Sequence, residues 1–70
     1  MKSKEEVRKI LKEIIVSLEK GGYNPYEQIV GYLNSGDPGY VSSFLQARQK
    51  IISLDRYDVI QMMLKEFLDN

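Results

Sequence analysis

The segment Asn24-Pro25-Tyr26-Glu27-Gln28-Ile29-Val30-Gly31-Tyr32-Leu33-Asn34-Ser35-Gly36-Asp37-Pro38 carries a helix start, a helix end and a second start in close succession. Asn24 is suited to the N-cap, and Pro25 to the first helical position, where its missing N–H is no loss. Glu27 stands at the third helical position, and Ile29, Val30 and Leu33 form an apolar stripe flanked by Tyr26 and Tyr32. Gly31, inside the helix, costs about 1 kcal/mol relative to alanine, so its presence predicts a close approach by another backbone. Asn34-Ser35-Gly36 ends the helix, and Asp37-Pro38 repeats the start signal.

Working outward, Ser3 and Glu6 have the spacing of a capping box. Val7, Ile10, Leu11, Ile14, Ile15 and Leu18 then recur with helical period, which predicts a first helix near residues 4–20. Glu5 and Lys9 are spaced for a supporting pair, and Gly21-Gly22 supplies left-handed geometry to stop the helix. Downstream of Pro38, a single turn over 38–42 leads into a helix around 43–54, with Phe44, Ala47 and Ile51 facing the core alongside Leu45 or Ile52. Asp55, with Asp58 three later, caps a final helix over roughly 56–68. There Tyr57, Ile60, Leu64 and Phe67 share one face, with Val59, Met63 and Leu68 beside it. Nothing alternates with strand period. The expected fold is all-α, a small bundle of four to five short helices forming one domain over residues 1–70.

Composition narrows the function. The chain has no cysteine and no histidine, which removes disulfides, thiol chemistry and the commonest general base and metal ligand. Ten Lys and Arg balance ten Asp and Glu, so the global basic field that drives phosphate-backbone binding is missing. No apolar run reaches the roughly 20 residues of a membrane span, and no signal peptide is evident, which predicts a cytoplasmic protein. A single core of this size supplies about 3–5 kcal/mol at best. With no disulfide or cysteine–zinc staple, self-association is the expected remedy, with Tyr32, Leu33, Ile60 and Leu64 contributing most to a homodimer seam between helices two and four.

Close acid pairs (Glu5 with Glu6, Asp55 with Asp58, Glu66 with Asp69) fall at helix starts or the chain end, where capping and solvation explain them better than catalysis. Ser35-Gly36-Asp37-Pro38 lacks the glycines and lysine of a phosphate loop, and Asp37 would repel an anion. Tyr23, Tyr26, Tyr32 and Tyr40 suit either half-buried packing or a partner-binding face. Met62-Met63 offers an adaptable surface or core filling. Arg48 and Arg56 fit either structural pairing, with Asp37, Asp55 or Asp58, or contact with a partner. A helix-turn-helix nucleic-acid binder built on helices two and three is the alternative reading, opposed by the neutral charge and by Asp37.

The spaced set Gly22-Tyr23-Asn24-Pro25, Gln28-Ile29-Val30-Gly31-Tyr32, Ser35-Gly36-Asp37-Pro38 and Tyr40, followed by Ala47-Arg48 and Asp55-Arg56-Tyr57-Asp58, resembles the signature of the IreB/ReoM family of small regulatory phosphoproteins. The similarity runs from about Val7 to the C-terminus. It implies a helical homodimer without enzymatic activity, acting by contact with a cytoplasmic protein partner. Through the resemblance, Arg48, Arg56 and Tyr40 become candidate partner-binding residues. No cofactor, metal, nucleic acid, membrane or small-molecule substrate is implied. Family members act downstream of a membrane Ser/Thr kinase and adjust peptidoglycan synthesis and β-lactam resistance. Their switch is a threonine in a flexible N-terminal tail, and phosphate there adds up to about two negative charges. This chain departs in two respects. It starts close to the first helix and contains no threonine, so no phosphosite is matched, and Ser3 reads as a cap. Ser43 and Ile52 stand where the family usually has arginines.

Overall fold

The computed structural model describes residues 2–69; the ends of the expected 1–70 domain, Met1 and Asn70, lie outside the described residues. The described residues are helical, with no strand among them. Helix α1 spans Lys4–Lys20, α2 Pro25–Ser35, α3 Ala47–Ile52 and α4 Arg56–Asp69, with 3-10 turns at Pro38–Tyr40 and Phe44–Gln46 between α2 and α3.

Helix α1 begins in the reciprocal box that its sequence spells. The Glu6 N–H donates to Ser3 Oγ (3.2 Å) and the Ser3 N–H to Glu6 Oε1 (3.0 Å). Glu6 is held below its ordinary carboxyl pKa by those bonds, the backbone one first. At the other end only Gly22 takes the left-handed conformation (φ 81°), while Gly21 stays right-handed. Gly21 serves differently: a Cβ there would lie 2.7 Å from the Tyr23 ring and 2.8 Å from Phe44.

One face of α1 supplies the floor for everything else. Ile14 and Leu18 are fully buried with Ile29 and Tyr32 of α2, Val41, and Ala47 and Ile51 of α3. A second cluster joins Val7 of α1 to Leu54 and Val59, with Ile10, Leu11, Leu33 and Met62 packed on it. Helix α4 therefore leans on the N-terminal half of α1, and α2 and α3 on its C-terminal half. The Lys50–Glu13 pair (3.7 Å) and the pairs of Lys4 (2.6 Å) and Arg8 (2.9 Å) with Glu66 border these contacts, whereas the expected Glu5–Lys9 pair is not formed.

Three expectations are corrected here. The helix expected over 43–54 is only Ala47–Ile52, because Leu45 (φ 49°) and Gln46 (φ 65°) adopt left-handed backbone and break it. Phe44 is accordingly exposed, leaving Ala47 and Ile51 to carry that segment's burial. Tyr32 is buried in the core of the chain itself and has little surface left for the expected dimer seam, while Leu33 is half-buried between the two clusters. On α4 the inward side is Val59 and Met62. Tyr57, Ile60, Leu64, Phe67 and Leu68 face outward.

Candidate functional site

Much of the spaced set read from the sequence is used along α2 and in the turn that follows it, and Arg56 ties the start of α4 to the end of α2. Asn24 Oδ1 accepts from the Glu27 N–H (3.2 Å) and opens α2 behind the buried Pro25. At the other end of α2 three successive carbonyls have partners. Ser35 Oγ donates to the Gly31 carbonyl (2.8 Å), the Gly36 N–H to that of Tyr32 (2.7 Å), and Arg56 Nη1 to that of Leu33 (2.9 Å). A cation at the negative end of a helix dipole is favourable as well as geometrically apt. Gly36 is left-handed (φ 79°), which favours glycine, and a Cβ there would stand 2.9 Å from the Arg56 guanidinium and displace it from its present position.

The next turn is held the same way. The Asp37 N–H donates to Ser35 Oγ (3.0 Å), and Asp37 Oδ1 accepts from the Gly39 N–H (2.8 Å), capping the Pro38–Tyr40 turn. That turn delivers the Tyr40 ring onto α2 at Gly31. A Cβ on Gly31 would lie 2.6 Å from Tyr40 Cδ1. The approach expected at Gly31 is thus made by an aromatic ring and not by a second backbone. Gln28 then reaches back, its Oε1 accepting from the Ser42 N–H (2.8 Å), while Arg48 Nε donates to the Val41 carbonyl (2.8 Å). Ser42 Oγ accepts in turn from the Phe44 N–H (3.1 Å). These braces hold the stretch that leads into the two left-handed residues, Leu45 and Gln46, a conformation that costs of order 1–3 kcal/mol per non-glycine residue.

The structure therefore brings Tyr40, Arg48 and Arg56 into the framework around α2, each fixed by a specific contact. Neither arginine forms the expected pair with Asp37, Asp55 or Asp58; each bonds a backbone carbonyl instead. Asp55 caps α4 by accepting from the Asp58 N–H (3.2 Å). A guanidinium has five N–H donors. The bonds to Leu33 and Val41 each use one and leave a positioned fork. Ser3 is engaged in its cap, and Ser43 and Ile52 are exposed.

Two surfaces escaped the sequence reading. One is the breadth of the outward apolar stripe of α4; Phe67 and Leu68 are 77% and 71% exposed. The other is a groove between α1 and α4 edged by Lys4, Arg8 and Lys12. The spacing of four between those cations was visible in the sequence, but which face of α4 turned inward was not. Among the described residues no three acids gather to hold a metal ion, and no helix is long and apolar enough to cross a membrane. Helix α3, at six residues, is under two turns and short for a recognition helix.

What these residues do chemically is fix a shape: helix caps, a ring seated on a glycine and two anchored guanidiniums hold a small helical module together. The chain belongs to the IreB family. The family described as IreB regulatory phosphoprotein matches residues 1–69.

Proposed function

We propose that this chain is a non-catalytic regulator that works as a homodimer by contact with a protein partner in the cytoplasm, adjusting peptidoglycan synthesis and β-lactam resistance downstream of a Ser/Thr kinase. The observation that carries the reading is the family match over residues 1–69, which gives the chain a regulatory role. Two features of the surface support its finer parts. The stripe of Tyr57, Ile60, Leu64 and Leu68 on α4 is a contiguous apolar face of the kind that marks a protein contact, and a second copy is the occupant proposed for it. Tyr40, Arg48 and Arg56 carry polar groups with bonding capacity to spare, suited to a partner's carboxylates or carbonyls.

The test is complementation. In a strain deleted for this gene, the wild-type chain restores the parental β-lactam susceptibility and peptidoglycan precursor levels. An Arg48→Ala/Arg56→Ala chain that remains folded does not. Deletion with no effect on either readout would refute the cell-wall assignment.

A further inference from the structure

The groove between α1 and α4 has a volume of about 380 Å³ and combines an apolar floor with a rim in which cations outnumber acids. Val7, Leu11 and Ile15 of α1 and Met62 and Met63 of α4 form the floor. Lys4, Arg8 and Lys12 border it from α1, and Glu66 borders it from α4. A spacing of four places the three cations along one side of α1. Lys4 and Arg8 share the single carboxylate of Glu66, and Lys12 forms no ion pair among the described residues. A chain of zero net charge thus concentrates three cations against one acid around its apolar groove. Glu13, on the adjoining face of α1, is already engaged by Lys50.

An apolar floor running from Val7 to Ile15 along α1, about two turns, matches an amphipathic helix that lays its apolar anchors into it. Met62 and Met63 give the floor a surface that adapts to anchors of different shape. The cationic rim selects for carboxylates beside those anchors. On α4 the groove residues Met62 and Glu66 lie two positions from Ile60, Leu64 and Leu68, some 200° around the helix. A dimer paired through the outer stripe therefore leaves uncovered the side of the groove that Met62 and α1 form, and borders it at Met63 and Phe67.

We propose that this groove is the docking site for an acidic amphipathic helix of a partner protein. The proposal rests on the reading of the chain as a regulator by protein contact, and names the chemistry of its partner.

The experiment follows the ε-methyl signals of Met62 and Met63 in the full chain labelled with [13C-methyl]methionine. The probes are two designed helical peptides with the same leucine stripe, one flanked by glutamates and one by lysines. The expected result is a shift of both methyls by the glutamate peptide, bound about tenfold or more tighter than the lysine peptide. Lys12→Glu, which removes no ion pair, should erase most of that preference while leaving the circular dichroism spectrum unchanged. No shift at Met62 and Met63, or equal affinity for the two peptides, overturns the proposal. Methyl shifts produced by raising the concentration of the chain itself, and blocked by either peptide, would assign the groove to a second copy and overturn it too. Peptide binding by a chain that sediments as a monomer would sustain the groove and instead refute the dimer.

Discussion

Gly31→Ala tests the seating of Tyr40 on α2. The new Cβ would stand 2.6 Å from Tyr40 Cδ1 and 3.0 Å from Cγ, near the root of the ring, so the whole side chain must swing away. Tyr40 is 54% exposed, so a little under half of its surface is covered. With roughly 200 Å² at stake for a tyrosine, about 90 Å² of contact is lost, worth about 2 kcal/mol at 25 cal/mol per Å². Replacing a mid-helix glycine by alanine returns about 1 kcal/mol of helix propensity. The net expectation is a loss of about 1 kcal/mol in the wild-type background, where the lost ring contact outweighs the propensity gain. In a Tyr40→Ala background no ring obstructs the new methyl, and the same substitution should stabilise by about 1 kcal/mol. Urea unfolding of the four chains, followed by far-ultraviolet circular dichroism at one fixed concentration, gives the coupling energy, which should be about 2 kcal/mol. Additive effects, with Gly31→Ala stabilising in both backgrounds, would refute the claim that glycine is there for the ring.

Further outcomes follow from the same contacts. Arg56→Ala removes the partner of the Leu33 carbonyl at an exposed helix end and should cost about 1 kcal/mol, lowering the melting temperature by roughly 4–8 °C. Lysine at that position should recover only part of the loss, since it lacks the planar fork that holds the bond to the Leu33 carbonyl. Ser3→Ala should also cost about 1 kcal/mol, and Glu6→Ala in that background should add less than it does alone, because the box is reciprocal. Glu66 is held below the ordinary carboxyl pKa of 4.5, first by the hydrogen bond from Lys4 and then by that from Arg8. The folded state therefore gives up this proton at lower pH than the unfolded state. Its contribution is present above the unfolded value and is lost as pH falls below it. Chemical denaturation from neutrality into the acid range should show the wild type and Glu66→Gln converging as Glu66 protonates; a gap between them that persists in acid would contradict this origin.

Much of the fold was legible because this chain states its helix ends with unusual redundancy. The Ser3–Glu6 box, Asn24-Pro25, Gly36 and Asp55 each satisfy an orphan backbone group within a few residues, and all four stand where the spacing put them. The region 43–46 was not legible, since neither Leu45 nor Gln46 favours left-handed backbone. What holds the stretch leading into it comes from Gln28 and Arg48, at distances in sequence that periodicity does not report. Helix α4 has apolar residues around most of its circumference, so its inward face was undetermined until Leu54 and Val7 selected Val59 and Met62. The roles of Tyr40 and Arg56 had the same character: each sits opposite a glycine, and only the fold reveals which glycine answers which side chain.

The apolar stripe that α4 turns away from its own core is the feature on which the proposed mode of action depends. Sedimentation equilibrium of the wild type and Leu64→Lys, run side by side at micromolar concentration, tests it. A dimeric wild type and a monomeric, still helical Leu64→Lys chain are the predicted pair; a wild type that stays monomeric across the concentration range would contradict the account.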